Sequence, residues 1–183
     1  QDVNVTITWE NDADADGFID WEEHQAGSDP DSNASKPGLD FGLVAYYPFD
    51  GNASDMSGNG LNGTISGVQS ISDRFARPGT AYAFDGSSHI MVNHSPHLTP
   101  SNGKMSLSLW LYSANFDKNT WQEILMKGNN DNREYLLRPD MGTGRAAFVV
   151  YGQNSQQWLT SNTPLPNNQW SHLVVTSDGS MLS

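Results

Sequence analysis

Beyond residue 40 the apolar residues come in short runs: LVAYYPF, GTISG, AYAF, HIMVN, MSLSLWLY, EILMKG, EYLLR, AAFVVYG and WSHLVVTS. Clusters of Gly, Asn, Asp and Ser separate them. Within SLSLWLY, residues Leu107, Leu109 and Leu111 fall on one side, with Trp110 and Tyr112 on the other. Ala147, Val149 and Tyr151 alternate in the same way with Phe148 and Val150. This period of two is that of a strand, whose successive side chains point to opposite faces. No helical period of useful length competes with it. Many short strands with turn signals between them predict an all-β, antiparallel sandwich or barrel.

The N-terminal region patterns differently. VNVTITW places Val3, Val5, Ile7 and Trp9 opposite Asn4, Thr6 and Thr8, a half-buried strand. DWEEHQAG, from Asp20, has room for about two helical turns, ended by Gly27 and then Pro30. Residues 28–38, SDPDSNASKPG, are polar, with Pro and Gly, and read as a linker. The expected organisation is a strand and loop over 1–30, a linker over 31–40 and a sandwich over 41–183.

Charge sharpens this division. The first 35 residues hold ten acids (Asp2, Glu10, Asp12, Asp14, Asp16, Asp20, Glu22, Glu23, Asp29 and Asp31) and no Lys or Arg. The rest of the chain is nearly balanced, although the whole carries a net charge of -12. Like charges this dense repel unless something positive sits among them. A chain with so few bases is a poor partner for nucleic acid or anionic membrane. No apolar run approaches the roughly 18 residues needed to span a bilayer, so no membrane insertion is expected. The absence of cysteine excludes disulfides and thiolate metal sites.

The spacing inside the acidic stretch supplies the missing positive charge. Asp12, Asp14, Asp16, Asp20 and Glu23 occupy positions 1, 3, 5, 9 and 12 of a twelve-residue loop. Gly17 falls at position 6, where the loop turns sharply. Phe18 at position 7 offers its carbonyl, and Ile19 at position 8 is an apolar anchor. This is the EF-hand pattern, in which hard oxygen donors at alternating positions wrap one Ca2+. The strand-like flank departs from a paired EF-hand, and a lone loop argues against a sensor-type opening. The segment DADADGFIDWEEHQAGSDPDS resembles the single calcium repeats of secreted bacterial proteins, of the thrombospondin type 3 and dockerin-like kind. That resemblance implies a calcium-stiffened connector and an extracellular location. Asp29 matches the end of the repeat.

The remainder resembles the laminin G-like, concanavalin A-like jelly-roll domains. The matching stretches are LVAYYPFDGNASDMSGNGLNGTISG, AYAFDGSSHIMVN, MSLSLWLY, ILMKG and NQWSHLVVTSDGS, in that order over residues 41–183. The resemblance implies a jelly-roll sandwich in which WSHLVVT is a core strand, with Trp170 and His172 structural. It also implies a second calcium ion at the sandwich edge, with Asp55 and Asp85 at the acidic positions. The alternative for both is that they cap turns. Domains of this kind continue beyond VVTSDGS, so an open sheet edge is expected, with self-association through it. VNVTITW is a candidate donor strand, within the chain or between chains.

Catalysis is not expected. Related glucanases carry two carboxylates on one strand, but DWEE belongs to the calcium loop, and Glu123 and Glu134 stand alone. The five His (His24, His89, His94, His97, His172) lack zinc-like spacing. Five Asn-x-Ser/Thr sequons, at Asn4, Asn33, Asn52, Asn62 and Asn93, are expected by chance in an Asn/Ser-rich chain. The reading is a calcium-binding adhesion or recognition module whose partner is a glycan or a cell-surface protein. Trp121 and Trp158 are candidate sugar-stacking residues that have core positions as their alternative. Two other readings stay open: a subunit of a calcium-stabilised fibre, and an accessory module of a polysaccharide-degrading enzyme.

Overall fold

A computed structural model describes residues 11–15, 18–38, 40–100, 103–116, 121–129, 132–151 and 156–178. The expected strand VNVTITW and the loop residues Asp16 and Gly17 lie outside the described residues. The chain divides into two compact units. One comprises Gln1–Pro48 with Ser54–Gly60, the other Phe49–Ala53 with Leu61–Ser183.

In the first unit the regular element is a helix, α1, Asp20–Ala26. It stops where the chain needs a left-handed residue. Gly27 has φ 75, and Ser28 N–H reaches back to Glu23 O at 2.9 Å. Asp20, Glu22 and Glu23 in its first turn complement the helix dipole. The segment expected as a linker is a chain of turns: Ser32 N–H donates to Asp29 O, and Ser35 N–H to Ser32 O. The run LVAYYPF, expected as a strand, joins no sheet, and Phe49 at its end has φ 58.

The second unit is all-β and antiparallel, as the alternation predicts. Its strands are β1 Gly63–Ser66, β2 Gln69–Ile71, β3 Ala81–Ala83, β4 His89–Val92, β5 Lys104–Leu111, β6 Leu125–Gly128, β7 Arg133–Pro139, β8 Arg145–Tyr151, β9 Gln156–Pro164 and β10 Ser171–Asp178. β1 pairs with β4, β2 with β3, and β5 with β10, while β6-β7-β8-β9 form a four-stranded meander. In the meander, Leu137 lies opposite Phe148, and Phe148 opposite Leu159. Gly128 closes the bulge between β6 and β7 at φ 108, and a β-carbon there would meet Asn132 O at 2.0 Å.

The β5–β10 ladder packs its apolar side on the meander. Met105, Leu107, Leu109, Leu173 and Val175 meet Tyr135, Leu137, Phe148, Val150 and Leu159 in one cluster. A second cluster, Leu111, Phe116, Ala146 and Leu165, continues the core. Each such side chain contributes about 1.5–3 kcal/mol by leaving water. The sandwich of the jelly-roll class is therefore held by a row of alternate residues, the leucines of SLSLWLY included. The outward side of the β5–β10 ladder is aromatic. Trp110 stacks on His172 at 4.8 Å and 11°, and His172 Nε2 lies 2.8 Å from Ser108 Oγ. WSHLVVT is thus a sheet strand, but His172 faces outward and is exposed rather than core.

Candidate functional site

The acidic loop is closed by its own side chains. Asp20 N–H donates to Asn11 O at 2.7 Å, and Asp20 Oδ1 accepts from Ala13 N–H at 2.9 Å. Asn11 Nδ2 donates to Asp20 Oδ2. The Ala13 N–H, and then the Asn11 amide, hold the Asp20 carboxyl below the usual carboxylate range. Asn33 Nδ2 ties the following turns to Asp14 O at 3.5 Å. Ala15, at loop position 4, has φ 58, a conformation that costs a residue with a β-carbon about 1–2 kcal/mol.

Glu23, the twelfth position, is 0 % exposed. Its Oε1 accepts from Ser28 Oγ at 3.4 Å, and its Oε2 and Asp14 Oδ2 are both shielded from solvent. A buried carboxylate with a second acidic oxygen shielded nearby fits a site for a cation. Donor chemistry points the same way, since every candidate ligand is a hard oxygen. Among the described residues no three acid or His side chains form a metal-holding group. Asp16, a further expected ligand, lies outside them. Asp20 closes the loop.

Asp55 and Asp85 each cap a turn. Asp55 Oδ1 accepts from Tyr46 N–H at 3.0 Å and Ser57 N–H at 2.9 Å, and Ser57 Oγ lies 2.8 Å from its Oδ2. It thereby joins residues 44–46 to residues 55–59, where Met56 N–H also donates to Tyr46 O. Asp85 Oδ1 accepts from Ser87 N–H, Ser87 Oγ and Ser88 N–H at 2.8–2.9 Å. The two backbone N–H groups hold its carboxyl far below the usual range. The capping alternative is what the geometry displays at both positions.

The meander carries a site on its outward face that residue-by-residue reading missed. Alternation places Leu136 and Arg138 of β7, Ala147 and Val149 of β8, and Trp158 and Thr160 of β9 on the side away from the core. Leu136, Ala147 and Val149 are 0 % exposed even there. Arg138 shares their face, opposite Ala147, with its guanidinium 4.0 Å from the Trp121 ring centroid and 5.2 Å from that of Trp158. Arg138 is only 7 % exposed, whereas Trp121 is 63 % and Trp158 49 % exposed. Two indoles therefore shield a cation while presenting their own surfaces to solvent, so neither takes the core position that was its alternative. Trp158 Nε1 donates to Gln156 Oε1. Arg138 ends the run EYLLR without standing out in the sequence, and only the structure shows that its guanidinium meets two tryptophans.

The other carboxylates near these strands are engaged. Arg133 pairs with Glu123 at 3.2 Å. Lys127 Nζ pairs with Glu134 at 2.9 Å, and Thr99 Oγ1 donates to the same carboxylate. Burial raises the Glu134 pKa, but the Lys127 and Thr99 hydrogen bonds outweigh it and the net direction is down.

An antiparallel sandwich with an aromatic outward face is the architecture of a binding module. Residues 84–183, more than half of the chain, match a laminin G-type family model described as the concanavalin A-like lectin/glucanases superfamily. The chain belongs to that family. No curated protein and no solved structure matches it. Laminin G-like domains are typically extracellular, and among the described residues no helix is long and apolar enough to cross a membrane.

Proposed function

We propose that this protein is an extracellular, calcium-stabilised, non-catalytic module that binds carbohydrate. The observation that carries the reading is the pair of exposed indoles, Trp121 and Trp158, that lie against one guanidinium, Arg138 of β7. Flat aromatic surfaces suit the C–H faces of sugar rings, and here Trp158 stands on β9 while Trp121 comes from the segment that leads into β6. The non-catalytic part is supported by Glu123 and Glu134, each held in an ion pair. A carboxylate kept ionised by Lys127 is a poor general acid.

Calcium belongs to the acidic loop. Asp12, Asp14, Asp16 and Glu23 would hold it with their carboxylates and Phe18 with its carbonyl, while Asp20 keeps the loop closed. The ion supplies the positive charge that the segment lacks. Its effect is on order and stability, not on reaction chemistry.

Titration against a panel of immobilised glycans tests the binding reading. At least one glycan should be retained, and Trp121→Ala should weaken it several-fold while leaving the melting curve unchanged. Retention of none, or retention by the Trp121→Ala and Trp158→Ala variants equal to that of the wild type, overturns it.

A further inference from the structure

We propose that the Trp121–Arg138–Trp158 face takes a negatively charged sugar, a pyranose bearing a carboxylate or a sulfate ester. This rests on the carbohydrate reading above and narrows it. Among the other cations of this unit, Arg77 has Asp73, Lys127 has Glu134 and Arg133 has Glu123, while Arg74 lies over the Phe75 and Trp110 rings. Arg138 is the most buried of these bases, yet among the described residues no carboxylate pairs with it, and its Nε makes no hydrogen bond. It shares a sheet face with Leu136, Ala147 and Val149, all at 0 % exposure, where the dielectric is low. A buried guanidinium ordinarily has a counter-charge, because its desolvation is otherwise uncompensated.

The two indoles attract the cation through their ring faces, but they accept none of its N–H bonds in the ring plane. What is missing is an oxyanion. A guanidinium presents a planar fork of donors that matches a carboxylate or sulfate. A neutral sugar offers only hydroxyls to that fork. The same ligand must also carry an apolar ring face, because exposed indole surface flanks the cation on both sides. A charged pyranose has both features. A free inorganic anion lacks the ring.

The test measures binding of the intact chain to three oligosaccharides of equal length: an oligogalacturonate, its carboxyl-reduced neutral counterpart, and a sulfated galactan fragment. We expect at least one acidic probe to bind about ten- to a hundredfold tighter than the neutral one, the gain of a charge-assisted hydrogen bond. Which acidic probe binds identifies the anion. The preference should shrink with salt less than that of an exposed pair would. Arg138→Gln should abolish the preference, and Trp121→Ala should weaken all bound probes together. If Arg138→Gln does not fold, the wild-type comparison of charged and reduced probes decides alone. Equal binding of neutral and acidic probes, still sensitive to Trp121→Ala, overturns the charge inference and leaves the carbohydrate reading standing. Binding of none of the three overturns the charge inference, and the glycan panel decides the broader reading.

Discussion

Two buried charges of opposite sign mark the two units. In the first, Glu23 is fully buried in a segment that contains acids and no Lys or Arg. In the second, Arg138 is buried on the outward face of a sheet, flanked by aromatic rings. A third buried charge, Asp73, shows what an internally completed site looks like. It accepts from Phe75 N–H and Arg77 N–H, and from the Arg77 guanidinium. The difference teaches where ligands belong. Asp73 finds its counter-charge four residues away; the counter-charge proposed for Glu23 and for Arg138 comes from outside the chain, a small hard cation in one case and an organic anion in the other.

The largest effect should come from the region without charge. Phe148→Ala removes a ring at the centre of the core between β7, β9 and the β5–β10 ladder. It should cost about 3–5 kcal/mol in chemical denaturation. A smaller loss would mean that the two layers are not packed as one core. Next comes the metal. Removing calcium should lower the stability of the first unit by about 3–4 kcal/mol at saturating ion and leave the sandwich transition in place. Calorimetry with calcium and then with chelator checks this; if neither transition moves, the loop is not a calcium site. Glu23→Gln should weaken calcium binding by roughly ten- to a hundredfold in titration calorimetry, the value of one charged ligand.

Trp158→Ala should weaken glycan binding by a few-fold, the scale of a single aromatic contact. Equal weakening by a substitution on the β5–β10 face, such as Trp110→Ala, would move the site away from the meander. The smallest effect concerns Asp73. Burial raises its pKa, but the Arg77 and Phe75 hydrogen bonds outweigh this and lower it to about 2. A carboxyl lowered on folding contributes stability above its unfolded pKa and loses it as pH falls through the folded one. Wild-type stability should therefore decline between about pH 4 and 2. Asp73→Asn should flatten that part of the profile, as denaturant midpoints across the range would show. An unchanged slope would exclude Asp73 as its source.

Much of the sandwich was legible because alternation is a local property. Leu107, Leu109 and Leu111 declare one face of β5 whatever their neighbours are. β9, QQWLTSNTP, escaped because its residues are mostly polar and only its pairing with β8 makes it a strand. LVAYYPF misled in the opposite direction, being apolar but without a sheet partner. The aromatic site was half legible. Trp121 and Trp158 stood out, but their sharing one cation depends on a β8–β9 register that sets Trp158 opposite Val149.

By itself, then, the sequence determined the strand alternation, the short helix ended by Gly27, and the acidic spacing of the loop. These depend on residues within about a dozen positions of one another, where backbone sterics and period decide. Only the tertiary structure decided that Asp55 and Asp85 cap turns, that His172 faces outward, and that both faces of β7 and β8 are buried. It alone brought Arg138 between Trp121 and Trp158, because burial and pairing across strands are properties of neighbours that the chain supplies from far away.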